Sequence, residues 1–363
     1  MSKKTIAVLF GGMSSEHDVS CVSACNVIDN INKEDYDILL IGITKNGRWL
    51  YVSSADEIKS GKWQESKVSA AILPDAVKKS AVLFKEDGAA EVKIDVCFPV
   101  MHGLYGEDGT VQGLLELAKI PYVGCGVLAS SISMDKLYTK IVVDTLGIRQ
   151  AKYVSFLEHE YSDTDAMVKK AENAFKYPMF IKPSNSGSSC GISKAHNRKE
   201  LIDGLKLAQK HDRKILVEEA IIGRELECGV LGGFVRNVKE TLPVPFSIPT
   251  ASGVGEILAA AEFYDYDAKY NNEASKTIIS PILPDGKLEE IQKDSVSIFR
   301  AVDGFGFARI DFFMEAGTNE IVFNELNTIP GFTAISMYPM LLSAAGIDKK
   351  KLVASLINYA FLR

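Results

Sequence analysis

The first forty residues set the tightest limit on the fold. Thr5–Phe10 is an unbroken apolar run, short enough for a buried strand, and Gly11-Gly12 ends it. Small and apolar residues recur at helical spacing over Val19–Ile31, and Tyr36–Thr44 is apolar again. Strand, helix, strand in that order predicts a parallel α/β sheet. Lys93–Met101 reads as a third strand before a glycine-rich loop, while the stretch between Ala55 and Glu91 is polar and lacks a clear period.

A chain of 363 residues suggests about two or three domains. The texture changes near Tyr122 and again near Val217, which divides the chain into 1–122, 123–217 and 218–363. The middle part carries a helix from Asp135-Lys136 to about Leu146 and another over Asp165–Phe175. Its strands are expected at Lys152–Phe156, Pro178–Lys182 and Lys214–Glu219. Glu225–Leu231 begins the last part, and a helix from about Asp348 to Phe361 closes it; Leu242–Gly255 is long and rich in Pro and Gly, with no fold assigned to it. The net charge of −6, with 24% charged residues, argues against a nucleic-acid partner, and an anionic substrate would need local cations. Six scattered cysteines without a C-x-x-C pair fit reduced thiols. The first apolar run is too short for a secretory signal, and no stretch is long enough to span a bilayer. A soluble cytoplasmic protein with no membrane partner is expected.

Phe307–Met314 and Ile321–Asn327 read as two strands of a hairpin. Side chains alternate along a strand, so Arg309 and Asp311 share one face, as do Glu325 and Asn327. Ile310, Phe312 and Met314 fill the other face with Val322 and Leu326; Asn324 breaks the pattern. If the polar faces coincide, three hard oxygen donors and an arginine converge, as Mg²⁺ with a nucleotide's phosphates requires. The rival reading is a wet face with a surface ion pair. Pro330-Gly331 then ends the strand and frees a backbone N–H that a ligand could approach.

A second anion site is suggested by K-P-S-N-S-G-S-S-C-G-I-S, from Lys182 to Ser193. Such a loop presents successive N–H groups and hydroxyls, and Lys182 adds a point charge. It is not a G-x-x-x-x-G-K-[ST] loop, and Gly-Ser stretches are often mere linkers. Lys136, and Glu218-Glu219 at a strand end where a carboxylate could accept from ribose, add weight.

Seven motifs occur in one order along nearly the whole chain: G-G-M-S-S-E-H-D-V-S from Gly11, H-G-L-Y-G-E-D-G-T-V-Q-G from His102, S-M-D-K from Ser133, and K-P-S-N-S-G-S-S-C-G from Lys182. F-Y-D-Y-D-A-K-Y from Phe263, A-R-I-D from Ala308 and N-E-L-N-T-I-P-G-F-T from Asn324 follow. In these the chain resembles the D-alanine–D-alanine ligases of the ATP-grasp superfamily. The resemblance implies a three-domain ATP-grasp fold: an N-terminal parallel, Rossmann-like α/β domain, and a nucleotide site between central and C-terminal α+β domains.

It also implies that ATP phosphorylates the carboxylate of one D-alanine and that the amine of a second displaces phosphate. By resemblance, Glu16 holds the first ammonium with His102 nearby; the rival role for Glu16 is capping the following helix. Lys136, Lys182, Ser188 and Ser189 belong to the phosphate site, Glu218 and Glu225 to the ribose or adenine end, and Glu219 and Ile221 offer backbone to adenine. Asp311, Glu325 and Asn327 are the implied ligands of two Mg²⁺ or Mn²⁺ ions. Arg309 and the Gly331 N–H are implied to stabilise the tetrahedral intermediate, and Ser336 and Met337 to contact the second D-alanine.

Tyr264–Tyr270 matches a closing lid that carries Lys269 to the phosphates and Tyr270 to Ser188 and Glu16. Ligases that make D-alanyl-D-lactate lack the tyrosine matching Tyr270, and those that make D-alanyl-D-serine tend to carry arginine at Met337. The pair therefore points to D-alanine. A homodimer is implied. Cys190 is expected to be a packed small residue in preference to a reactive thiol, and His17 a solvated residue.

Overall fold

The computed structural model describes residues 3–187, 190–234, 244–258 and 276–363. Three sheets follow one another along the chain. The first holds β1 (Lys4–Gly11), β2 (Tyr36–Ile43), β3 (Trp49–Val52), β4 (Ser69–Ile72), β5 (Ser80–Lys85), β6 (Gly88–Lys93) and β7 (Val96–Met101). Their order is β6-β5-β4-β3-β2-β1-β7. Only β2, β1 and β7 run parallel, with Val8 beside Leu40 on one flank and Phe98 on the other. Ile6 to Phe10 are fully buried, as a strand covered on both faces requires. The parallel pairing expected of these three strands is borne out, within a sheet that is mixed overall. An antiparallel meander, β3 to β6, comes from the unreadable stretch, and Lys93–Met101 is split at Ile94-Asp95.

The second sheet is antiparallel: β8 (Tyr153–Leu157), β9 (Met179–Pro183), β10 (Ser193–Ala195) and β11 (Lys214–Glu219), in the order β10-β9-β11-β8. The third holds β12 (Gly223–Gly232), β13 (Thr250–Leu258), β14 (Lys276–Ile279), β15 (Gly306–Glu315) and β16 (Ile321–Asn327), in the order β14-β13-β12-β15-β16. Part of the patternless Leu242–Gly255 is therefore strand.

The described helices are α1 (His17–Asn30), α2 (Ala55–Ser60), α3 (Thr110–Leu117), α4 (Val127–Met134), α5 (Lys136–Asp144), α6 (Thr164–Ala174), α7 (Arg198–Ala208), α8 (Lys287–Ala301), α9 (Met337–Ala344) and α10 (Lys349–Leu362). Asp135 ends α4 in an extended conformation and caps α5, accepting from the N–H groups of Leu137 and Tyr138.

The largest core crosses the chain from end to end. Ile6, Val8 and Phe98 of the first sheet pack with Leu352, Leu356 and Tyr359 of α10 and with Phe307, Phe332 and Tyr338. Fully burying such a side chain contributes about 1.5–3 kcal/mol. This shared core holds the loop after β7 against the loop after β16, where the His102 motif meets the Asn324 motif.

Candidate active site

The hairpin forms as β15 and β16, with Asp311 opposite Glu325 and Arg309 opposite Asn327. The polar faces do coincide. The register then shifts, so that Phe312 lies opposite Phe323 and Asn324 is left over as a bulge. That explains the residue that broke the alternation. The bulge also corrects the apolar face: Ile321 and Phe323, not Val322, pack with Ile310, Phe312 and Met314 in the core. Val322 pairs with Phe313. The Asn324 side chain turns toward the second sheet, where the Lys182 ammonium donates to its Oδ1 at 3.5 Å.

Arg309 lies in the row beside Asp311. Its Nε and a terminal nitrogen donate to the two Asp311 oxygens at 2.7 Å each. Asn327 Nδ2 donates to Asp311 at 3.0 Å. Across the next strand, Glu227 of β12 is in register with Asp311, and its Oε2 lies 3.2 Å from Arg309 Nε. Burial alone lowers the affinity of the Arg309 guanidinium for its proton, but Asp311 and Glu227 outweigh it and raise its pKa well above the usual value.

The N-terminal sheet supplies the other wall. Glu16 precedes α1, yet its side chain makes no capping hydrogen bond. It turns inward instead: a methyl group on Gly103 would come 2.9 Å from Glu16 Oε2, and one on Gly187 2.7 Å. The capping role weighed against the binding role is therefore not what this side chain does. Glu16 is 8% exposed, a buried carboxylate facing two bare backbones.

His102 is buried and engaged at both ring nitrogens. Nδ1 lies 2.9 Å from the Ile329 carbonyl and so carries the proton, and Nε2 lies 3.2 Å from Ser23 Oγ. Burial lowers its pKa, consistent with a neutral ring. Ser23 Oγ also accepts from the Phe332 N–H at 3.2 Å.

Glu107, which the sequence did not single out, accepts from the N–H groups of Gly103 at 2.7 Å and Ile329 at 2.9 Å. Burial first, and then repulsion from Glu16, push its pKa up to about 8. Ile329 is thus gripped at both backbone groups, two residues before Gly331. Ser336 Oγ accepts from the Thr333 N–H at 2.9 Å and would lie 2.8 Å from a methyl on Gly331. Met337 is 3% exposed and packs on Gly255.

The lysines line the second sheet's side. Lys182 Nζ lies 2.7 Å from Glu218 Oε2, and Lys140 Nζ lies 3.1 Å from Oε1. Burial by itself raises the Glu218 pKa, but the two ammonium groups outweigh it and hold it at about 2. Lys140, another residue the sequence did not reveal, also donates to the Ala151 carbonyl at 3.2 Å. Lys136 Nζ donates to the Ser186 carbonyl at 2.6 Å, beneath the glycine loop. Glu219 accepts from the Lys152 N–H at 2.9 Å, and Ile221 lies in the short link between β11 and β12. Glu225 lies two residues before Glu227 on β12, half-buried and in register with Phe313. Ser188, Ser189, Lys269 and Tyr270, with the expected lid, lie outside the described residues.

Two neighbours of these motifs lie close by, and the expectation for His17 is corrected. His17 is fully buried, with Nδ1 2.8 Å from the Gly12 carbonyl and its ring stacked on Trp63, so it is not solvated. Cys190 is half-buried, with Sγ 3.7 Å from His211 Nδ1.

Glu227, Asp311 and Glu325 stand in one row across three strands, with Arg309 beside Asp311. Like charges placed directly opposite destabilise a sheet. Three carboxylates against one guanidinium leave negative charge that suits divalent cations. Among the described residues, no three His, Cys, Asp or Glu side chains converge as a ligand cluster. Asp311, Glu325 and Asn327, two carboxylates and one amide, lie on paired positions of β15 and β16, a hard-oxygen donor set of the kind Mg²⁺ takes.

Comparison with known proteins extends over the whole chain. Family models described as D-ala D-ala ligase N-terminus and D-ala D-ala ligase C-terminus match residues 5–125 and 142–358. A D-alanine–D-alanine ligase of Clostridium acetobutylicum is 49% identical over 99% of both chains. One of Acetivibrio thermocellus is 47% identical, covering 99% of this chain and 96% of the relative. Among solved structures, the VanG D-Ala:D-Ser ligase from Enterococcus faecalis superposes with a TM-score of 0.85 at 36% identity, covering 99% of this chain and all of that one (100%).

Proposed function

The chain belongs to the D-alanine–D-alanine ligase family, and from that premise we infer that it joins two D-alanines at the expense of ATP. The product, D-alanyl-D-alanine, is a peptidoglycan precursor. A carboxylate is a poor acyl donor, so ATP first converts that of one D-alanine into an acyl phosphate. The amine of the second D-alanine attacks the acyl carbon, and phosphate leaves.

The observation that carries this reading is the inward turn of Glu16 between Gly103 and Gly187. A buried carboxylate turned inward beside two glycine loops suits a small ammonium group as its partner. By resemblance, the Arg309 guanidinium and the Gly331 N–H would stabilise charge on the tetrahedral intermediate. Ser336 lies beside Gly331, on the side assigned to the second D-alanine. Lys136 and Lys182 hold the phosphates, with Ser188, Ser189 and Lys269 assigned there by resemblance. Binding of ATP would draw Lys182 from Glu218, whose second partner Lys140 keeps it charged. Glu218 and Glu225 serve the ribose or adenine end, and the backbone at Glu219 and Ile221 meets adenine. Tyr270 and Ser188 complete a network to Glu16.

Asp311, Glu325 and Asn327 would hold Mg²⁺ or Mn²⁺, two ions by resemblance. When bound, these ions would offset charge on the transferring phosphoryl group. Among the described residues no helix is long and apolar enough to cross a membrane. A cytoplasmic homodimer is our reading from the resemblance, to be tested by sedimentation.

The second reading, ligation to D-serine, is favoured by the likeness to the Enterococcus enzyme. The buried apolar Met337 argues against it, because it offers nothing to a hydroxyl. Equal D-alanine and D-serine offered together, with products resolved by mass, decide the matter. D-alanyl-D-alanine in large excess supports our reading, and D-alanyl-D-serine in excess reverses it.

A further inference from the structure

We propose that Glu227 is a positioning residue that holds Arg309 when a divalent cation draws Asp311 away. The proposal rests on the ligase reading, since that reading places the cation on Asp311. The structure shows one guanidinium between two carboxylates on adjacent strands. Asp311 takes both of its forward bonds at 2.7 Å, and Glu227 stands behind at 3.2 Å. Arg309 is 17% exposed and Glu227 12% at their side chains, so water is a poor substitute for either partner.

A cation on Asp311 would compete with Arg309 for the charge of the same two oxygens, both of which the guanidinium now engages. With Asp311 as its sole anchor, Arg309 would either resist the cation or swing loose. Glu227 eases that competition, because it is already ion-paired with Arg309 at 3.2 Å and sits on the flank away from Glu325 and Asn327. The row geometry gives the same answer: Glu227, Asp311 and Glu325 lie side by side, but they do not converge on a point among the described residues. Glu227 faces the arginine, with Oε2 3.2 Å from its Nε. The strand spacing also explains its presence. Glu225 and Glu227 alternate onto one face of β12, and the next residue on that face is Gly229, against which Tyr338 and Leu342 pack. Position 227 is the one from which a β12 side chain meets Arg309.

A double-mutant cycle with two readouts tests this. Mn²⁺ affinity is measured directly by paramagnetic resonance, without turnover, in wild type, Glu227→Gln, Arg309→Gln and the double variant. Steady-state turnover is measured alongside. Glu227→Gln is expected to weaken Mn²⁺ about 10-fold, because Arg309 then stays on Asp311. In the Arg309→Gln background the same change should cost less than about 3-fold. Turnover of Glu227→Gln should fall mainly in kcat, with the ATP KM within about 2-fold, because the arginine acts on the intermediate.

Equal Mn²⁺ losses in both backgrounds would mean that Glu227 acts on the cation itself, and would overturn the proposal. So would wild-type Mn²⁺ affinity and kcat in Glu227→Gln. Glu227→Asp, which keeps the charge but withdraws it, serves if the glutamine variant does not fold; wild-type behaviour there also overturns the tether. Loss of the ligase reading would look different: wild type would release no phosphate with D-alanine, while the Mn²⁺ cycle would still report on Glu227.

Discussion

Glu218→Gln is the sharpest perturbation the structure offers. Glu218 is 4% exposed at its side chain and Lys140 3%, and they lie 3.1 Å apart. The variant leaves the Lys140 ammonium buried with the Ala151 carbonyl and an amide in place of a charge. Breaking one side of a buried pair costs about 3–5 kcal/mol. Against its burial, the two ammonium groups hold the Glu218 carboxyl at about 2, while burial lowers the pKa of Lys140.

The sign follows. A lowered carboxyl contributes stability above pH 4.5 that is lost as pH falls toward about 2. At neutral pH the variant lacks all of it. For a chain of this size each kcal/mol shifts Tm by roughly 2 °C, so a fall of about 6–10 °C is expected. Differential scanning calorimetry at pH 7.5 is the assay. Lys140→Met combined with Glu218→Gln should recover much of the loss, because no unpaired buried charge remains. A single variant within about 2 °C of wild type, or a double variant worse than both singles together, would refute the reasoning.

Three other perturbations test other walls of the site. Glu107 keeps in the folded state a proton that the unfolded chain releases between 4.5 and about 8, so stability declines as pH rises through that window. Glu107→Gln should flatten the decline of Tm between pH 5 and 8.5, and an unchanged slope contradicts the assignment. Gly187→Ala puts a methyl 2.7 Å from Glu16 Oε2; it should raise the D-alanine KM about 10-fold or more and leave the ATP KM within about 2-fold, whereas equal effects on both would point to loop damage. Glu325→Gln should lower kcat about 100-fold or more with Tm nearly unchanged, and near-normal turnover would remove it from the metal set.

Much of this site could be read from the sequence because its residues lie on strands, where a period of two fixes the face. Arg309, Asp311, Glu325 and Asn327 were placed together that way, and the structure pairs them across β15 and β16. The bulge could not be read, since its cause lies elsewhere: Asn324 is turned out toward Lys182 of another sheet. Glu107 and Lys140 escaped for the same reason. Each gains its meaning from a partner more than seventy residues away, Ile329 in one case and Glu218 in the other. Glu227 was missed although Glu225 was noted on the same face, because its partner Arg309 lies on a strand paired only in the fold. His17 was misjudged because Trp63, which covers it, comes from a stretch without a period.

The central claim is that this site activates D-alanine with ATP. Phosphate release should be followed with ATP, Mg²⁺ and D-alanine, with L-alanine, D-lactate and D-serine offered separately and products identified by mass. The account predicts release with D-alanine alone and one D-alanyl-D-alanine for each phosphate. No release with D-alanine, or release that yields no dipeptide, would contradict it.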